Sequence, residues 1–360
     1  VELLQAYREK DIVNRLLEEL GRKVSRPMRI MEVCGTHTMS IFRSGLRSIL
    51  PTEIELLSGP GCPVCVTPQR QIDLFISIAR KPNVRIATFG DLMRIPGATG
   101  SLAQARADGA KIEVVYSPIE ALDLALAYPD ELVVFLGIGF ETTAPGVAAT
   151  ILAARSKGIA NFSILCAHKT MPRALDALLA HPDQSVDGLL CPGHVSAIIG
   201  SRPYDVIAQK YSIPCVITGF EPVDIVMGLV HLATLIGEKR FEVINAYQRV
   251  VAREGNVNAQ AVMKRVFEPV DSEWRGLGTI AGSGLALRDE WRDFDVLNRL
   301  DVEVPKSGDP VGCKCGEVLL GKMNPTQCPL FGKRCTPVSP VGPCMVSSEG
   351  TCAAYYQYRG

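Results

Sequence analysis

The sequence predicts an α/β fold: two parallel-sheet α/β domains of similar size, followed by a third, mostly helical and irregular one. Three observations predict it. Short apolar runs alternate with helical patterns over residues 28–120, the same rhythm restarts after Tyr128, and the pattern changes from about Lys239. Alternation of strand and helix is the signature of βαβ units, and 360 residues are too many for one ordinary core. The expected division is 1–120, 121–238 and 239–360.

Residues 1–20 read as a charged amphipathic helix, with Val13, Leu16, Leu17 and Leu20 at helical spacing and Gly21 as its C-cap. Strands are expected at 29–33, 54–57, 84–89 and 112–116, with helices such as 39–50 and 69–80 between them. The second domain has strand-like runs at 132–137, 162–166, 188–191 and 215–218, and helices at 147–154, 174–179 and 195–199. One long helix is expected across 241–267, interrupted near Gly255. Gly- and Pro-rich sequence with both tryptophans and a cysteine-rich tail follows, so something besides apolar burial must hold that region.

Composition excludes several classes. An apolar fraction of 47% against 21% charged residues is that of a globular chain, not a disordered or fibrous one. Lys+Arg and Asp+Glu both number 38, so no charge excess points to nucleic acid or an anionic membrane. The longest apolar stretch, 223–237, is broken by Asp224 and His231 and is too short to span a bilayer. No export signal opens the chain, and the expected location is the cytoplasm, where structural disulfides are rare.

Twelve cysteines in a reducing compartment therefore call for metal or redox chemistry. Six of them, Cys313, Cys315, Cys328, Cys335, Cys344 and Cys352, are spaced C-x-C-x12-C-x6-C-x8-C-x7-C. Four thiolates suffice for one zinc ion or one [4Fe–4S] cluster. Six are too many for one closed site and too close together for two, so four ligands plus a nearby dithiol is the simplest count. A pair of zinc knuckles is the alternative, although the paired C-x2–4-C spacing of structural zinc is missing.

Four loops each join a strand to a helix, where ligand sites form in open α/β sheets. Cys34-Gly35-Thr36-His37-Thr38 places a thiol at a helix start, where the dipole favours the thiolate, with His37 as a base or hydrogen-bond partner. Taken alone, a Cys and a His in one loop more often serve packing and capping than catalysis. Gly59-Pro60-Gly61-Cys62-Pro63-Val64-Cys65 carries a C-x-x-C pair suited to reversible disulfide formation or metal, with Thr67 and Pro68 as cap and first residue of the next helix. In Gly139-Phe140-Glu141-Thr142-Thr143, Glu141 is an acid–base candidate and the threonines are capping residues. In Cys191-Pro192-Gly193-His194, His194 is either a polar site group or a helix-start residue. Cys166 and Cys215 read as buried small hydrophobes.

Taken together, MEVCGTHT (31–38), GPGCPVCVTP (59–68), GFETTAPG (139–146), CPGHVSAIIG (191–200) and the tail CKCGEVL, CPLFG, GPCMVSSEGTCAAYYQY resemble one family over essentially the whole chain. That family is the hydrogenase maturation factor HypD. The resemblance implies two Rossmann-like α/β domains around a cleft and a C-terminal iron–sulfur domain. It also implies a scaffold and redox protein, with thiol and iron–sulfur chemistry, for assembly of the Fe(CN)2CO unit of [NiFe]-hydrogenase. The partners would be the small chaperone HypC, the cyanide donor HypE and, indirectly, the hydrogenase large subunit. By the match, Cys34 would hold the iron together with a cysteine of HypC, and Cys62 and Cys65 would be the redox pair in the cleft. Thr36, His37, Glu141 and His194 would be the polar groups around it. A [4Fe–4S] cluster would sit in the tail on Cys313, Cys328, Cys335 and Cys344, with Cys315 and Cys352 as a dithiol, as in ferredoxin:thioredoxin reductase. Two other readings stand beside this one: a cluster-fed thiol–disulfide oxidoreductase acting on proteins, and a zinc-stabilised interaction module.

Overall fold

The computed structural model describes residues 9–304 and 306–358. Its first element is helix α1 (Lys10–Lys23), which buries Val13 and Leu20. It runs two residues past Gly21, because Val24 in extended backbone ends it. The residues expected to be helical before Glu9 lie outside the described ones.

Two parallel sheets follow. The first has five strands in the order β2-β1-β7-β8-β9: β1 (Met28–Glu32), β2 (Ile54–Ser58), β7 (Gly188–Pro192), β8 (Cys215–Thr218) and β9 (Val243–Asn245). The second has four in the order β4-β3-β5-β6: β3 (Val84–Thr88), β4 (Lys111–Val114), β5 (Leu132–Gly139) and β6 (Phe162–His168). Every neighbouring pair in both sheets is parallel. The strands are nearly continuous apolar runs, as sheets covered on both faces require.

Helices return the chain from strand to strand. In the first sheet α2 (Gly35–Arg43) links β1 to β2. The chain then leaves through α3 (Pro63–Val66) and α4 (Gln69–Ala79), and the second sheet is wound with α5 (Leu102–Ala107), α6 (Glu120–Ala127) and α7 (Ala144–Ser156). After β6 the chain crosses back through α8 (Met171–Leu179) to β7, followed by α9 (Gly193–Ile199), α10 (Pro203–Tyr211) and α11 (Pro222–Gly237). Helix α11 packs its Val226, Leu229 and Ala233 with Val13 and Leu20 of α1 under the first sheet. It is the 223–237 apolar stretch, and no helix among the described residues is long and apolar enough to cross a membrane.

The sheets do not divide at residue 120. Strands β3 and β4 pair with β5 and β6, whereas β1 and β2 pair with strands from beyond residue 188. The strand–helix rhythm fixes elements but carries no information on which sheet each joins. The first crossover is the Cys62–Cys65 loop itself, so no break in composition marks it.

The region after β9 also differs from expectation. The helix expected over 241–267 is only α12 (Val257–Val266), since β9 joins the first sheet and Gly255 takes φ +69 against the backbone of Ile198. An antiparallel hairpin follows, β10 (Phe267–Trp274) and β11 (Gly278–Leu287), with a bulge between Val270 and Ser272. It packs on the second sheet: Thr170 N–H donates to the Ser283 carbonyl at 2.8 Å. The tail is irregular apart from short turns, α13 (Cys315–Leu319) and α14 (Thr351–Gln357).

Strand order locates the site. Helical connections leave β1 toward β2 on one side while β7 lies on the other, so the first sheet reverses between β1 and β7. The second reverses between β3 and β5. Crevices open at such switch points beyond the carboxyl ends of the strands. The loops there are those of Cys34, His194, Asp91 and Glu141.

Candidate functional site

Cys34 is the N-cap residue of α2, in extended backbone. Its loop is stacked on the C-x-x-C loop: Gly35 N–H donates to the Gly61 carbonyl at 3.2 Å. A Cβ on Gly61 would stand 2.5 Å from both N and Cα of Cys34, so only glycine permits this approach. The thiol faces the N–H groups of Thr36 and His37 and the Thr36 hydroxyl. Burial nevertheless pushes it up to about 12, with the Glu349 carboxylate adding to the effect. The thiolate expected from the helix start is thus outweighed by desolvation.

Cys62 and Cys65 form a disulfide with Cα atoms 5.2 Å apart, and both are buried. Cys62 caps α3, its sulfur accepting from Cys65 N–H at 3.1 Å. Thr67 ends α3 and Pro68 caps α4, one residue later than the sequence suggests. Ser347 of the tail places its hydroxyl 3.3 Å from the Cys62 sulfur.

His37 is buried, with Nε2 2.9 Å from the Gly219 carbonyl and 3.0 Å from the Thr218 hydroxyl. The carbonyl partner assigns the proton to Nε2. Burial lowers its pKa to about 4, so the ring is neutral at pH 7 and Nδ1 has no partner. Phe220 lies against His37 at 4.7 Å and against the exposed ring of His194 at 4.0 Å, joining the two histidines of the cleft.

Glu141 sits deeper than its loop suggests. It accepts from Met171 N–H at 2.9 Å at the start of α8, and burial pushes its carboxyl up to about 7. The neighbouring Thr142 and Thr143 do face open space: with Val64, Asp91, Tyr116 and Glu349 they line a cavity of about 510 Å³ at the carboxyl edge of the second sheet. Cys191 is buried beside Cys215, behind the His194 loop. Cys166 is half-buried, packs against the core of the second sheet and donates to the Leu285 carbonyl at 3.0 Å, so it also ties β6 to the hairpin.

The sequence did not single out the segment Ser347-Ser348-Glu349, which joins the tail to the cleft. Ser348 donates to the Asp91 carboxylate at 2.7 Å through its hydroxyl, and Thr36 donates to Glu349 at 2.6 Å. Three small polar or acidic residues between Cys344 and Cys352 were the available signal.

All six tail cysteines line one small cavity, closed by Val318, Leu330, Phe331 and Met345. The Cys315 and Cys344 sulfurs are 2.8 Å apart, and Cys335 accepts from Val341 N–H at 3.3 Å. Among the described residues no three His, Cys, Asp or Glu side chains are grouped to hold a single metal ion. An all-thiol donor set in an apolar enclosure is chemically what an iron–sulfur cluster requires.

Comparison with known proteins identifies the family. Residues 11–359 match the model of the HypD family, described as the hydrogenase formation hypA family. The chain is 47% identical over 353 residues to the hydrogenase maturation factor HypD of Rhodobacter capsulatus, covering 97% of this chain and 94% of the relative. It is 46% identical over 361 residues to that of Escherichia coli (strain K12), covering 98% and 97%. To that of Azotobacter vinelandii it is 45% identical over 357 residues, covering 97% and 93%. With its cysteine loops, its two parallel sheets and this end-to-end likeness, the chain belongs to the HypD family.

Proposed function

We propose that this chain acts in hydrogenase maturation as the scaffold on which the Fe(CN)2CO unit is assembled. Cys34, together with a cysteine of HypC, would hold the iron, and cyanide would arrive from HypE. The observation that carries the reading is the stacking of the Cys34 loop on the Cys62–Cys65 disulfide through Gly61. An unpaired thiol beside a redox pair is what iron capture next to electron transfer needs.

The residues divide the work chemically. Iron carrying cyanide and CO is a cargo suited to thiolate, and metal binding drives loss of the Cys34 proton despite burial. The N–H groups of Thr36 and His37 would then stabilise the bound sulfur's charge. Cys62 and Cys65 release two electrons on closing their disulfide and take up two on opening it. Neutral His37, fixed by Gly219, positions the α2 start and leaves Nδ1 free to accept a hydrogen bond. In the tail, Cys313, Cys328, Cys335 and Cys344 would hold a [4Fe–4S] cluster, with Cys315 and Cys352 as the dithiol. Such a cluster supplies one-electron redox chemistry when bound.

Burial of both Cys62 and Cys65 counts against a general oxidoreductase, whose thiol must reach a protein substrate. The test is the infrared spectrum of the anaerobically purified complex with HypC. Cyanide and CO bands are expected in the wild type and absent in Cys34→Ala, with the Cys62–Cys65 disulfide unchanged. Bands that survive in Cys34→Ala overturn the scaffold reading. Metal and sulfide analysis of the same sample separates it from the zinc-stabilised module, which would contain zinc and no sulfide.

A further inference from the structure

We propose that Arg275 is a buried counter-charge shared by the two redox sites, its guanidinium held between the end of the disulfide helix and the turn that carries Cys313 and Cys315. The inference rests, for its tail half, on the reading of the six cysteines as a cluster site.

Arg275 is 2% exposed, at the end of the hairpin strand β10. Its backbone N–H donates to the Val66 carbonyl at 2.7 Å. Nε and Nη2 both donate to the carbonyl of Thr67, two residues after Cys65, at 3.2 and 2.9 Å. Nη1 pairs with the half-exposed carboxylate of Asp309. On the other side, Gly276 takes φ +81 and lies so close to Gly316, next to Cys315, that a Cβ on either would meet the other's backbone within 2.8 Å. The guanidinium therefore sits on the backbone two residues after Cys65, while the residue that follows Arg275 packs on the backbone next to Cys315.

A buried guanidinium is an expensive tether. Desolvating it is costly, and a well-packed apolar residue would often serve stability better. A fixed positive charge has a use here, because reduction adds negative charge to a cluster and, wherever a thiol sheds its proton, to the cysteine pair. The disulfide gives thiols that can ionise, and a cluster gains one electron. In a low-dielectric setting a nearby cation stabilises the reduced form of each. One side chain thus shifts both potentials in the same direction.

The experiment uses the full chain and three variants. Arg275→Gln removes the charge but keeps some hydrogen bonding; Arg275→Lys keeps the charge and loses the fork on Thr67. Asp309→Asn keeps the guanidinium and removes the opposing charge. The proteins are equilibrated in glutathione buffers of graded ratio, and Cys62–Cys65 disulfide is quantified by alkylation and peptide mass. Arg275→Gln should move the equilibrium toward disulfide by about tenfold, about 30 mV for a two-electron couple. Arg275→Lys should move it much less, and Asp309→Asn the opposite way. Equal shifts in the Gln and Lys variants, or none in Gln, overturn the inference and leave a tether. The second arm follows the cluster potential by paramagnetic-resonance titration after reconstitution with iron and sulfide, and it should fall in Arg275→Gln. Failure of the wild type to take up a cluster sinks the tail reading instead, and the disulfide arm still decides on Arg275.

Discussion

The amino-terminal thiols and the tail thiols are held by different means. Cys34 and the Cys62–Cys65 pair hang from the ends of β1 and β2, whose Ile30, Met31, Leu56 and Leu57 are buried. Cys62 and Cys65 add their own packing to that core, which the sheet already builds. The tail ring has only Phe331, Cys335 and Met345 as the buried centre of its own cluster, and a five-residue helix as its first regular element. The first region takes its precision from a sheet. On the proposal that the tail cysteines hold a cluster, the second would take part of its order from what they bind, beside the packing of Leu319, Leu320 and Val346 on the main core.

The largest effect that could break this contrast is removal of two tail thiols. The double change Cys328→Ser, Cys335→Ser should abolish cluster incorporation. It should also strip hydrogen-exchange protection from residues 308–358 while the nine strands of the two parallel sheets keep theirs. Uniform protection across the tail would show that the ring orders itself without a bound group. At the other region the sensitive atom is a missing Cβ. Gly61→Ala presses a methyl group into the Cys34 backbone, at the upper end of overpacking costs, about 3 kcal/mol. Denaturant unfolding should show the loss, and cyanide loading should fall with it because Cys34 is displaced. An unchanged midpoint would mean that the two loops are free to separate.

The same contrast explains what could be read from sequence. Eight strands of the two sheets and most connecting helices were legible because buried parallel strands leave short apolar runs between helical patterns. The four loops followed, since their glycines, prolines and cysteines sit where strands end. Sheet membership was not legible: β1 pairs with β7 across more than a hundred residues, and no local pattern records that. Strand β9 and the hairpin were missed because β9 is three half-buried residues and β10 mixes charged with apolar positions. Glu141 looked like a cleft acid because its loop is, but its own side chain turns inward to α8. Ser347 and Glu349 reach the site through contacts with Cys62 and Thr36, each roughly three hundred positions away.

Glu141 supplies a pH-dependent version of the comparison. Its carboxyl is raised by burial from 4.5 to about 7, so the folded state binds a proton that the unfolded state has released over that range. Stability contributed by the protonated form is complete below about 4.5 and declines as pH rises toward 7. Relative to Glu141→Gln, the wild type should lose about 2 kcal/mol between pH 5 and pH 7. Parallel urea titrations of both proteins measure this. The difference belongs to the sheet region, so tail hydrogen exchange should not follow it; a constant difference across pH would mean that the carboxyl is ionised in the folded state.

The smallest effect lies where the two regions meet. Thr36 on α2 donates to Glu349 of the tail at 2.6 Å, and Glu349 is held up mainly by burial, with this hydrogen bond opposing that rise. Thr36→Val keeps the shape and removes the donor, at a cost of about 1 kcal/mol. If the sheet stands by itself, that cost falls on docking of the tail segment and not on global unfolding. Exchange protection across residues 344–352 should then drop about fivefold, the equivalent of that energy, while the urea midpoint stays put. A lower midpoint with unchanged local exchange would reverse the inference: the tail would be part of one cooperative unit with the sheets, and the two regions would differ in composition but not in how they are held.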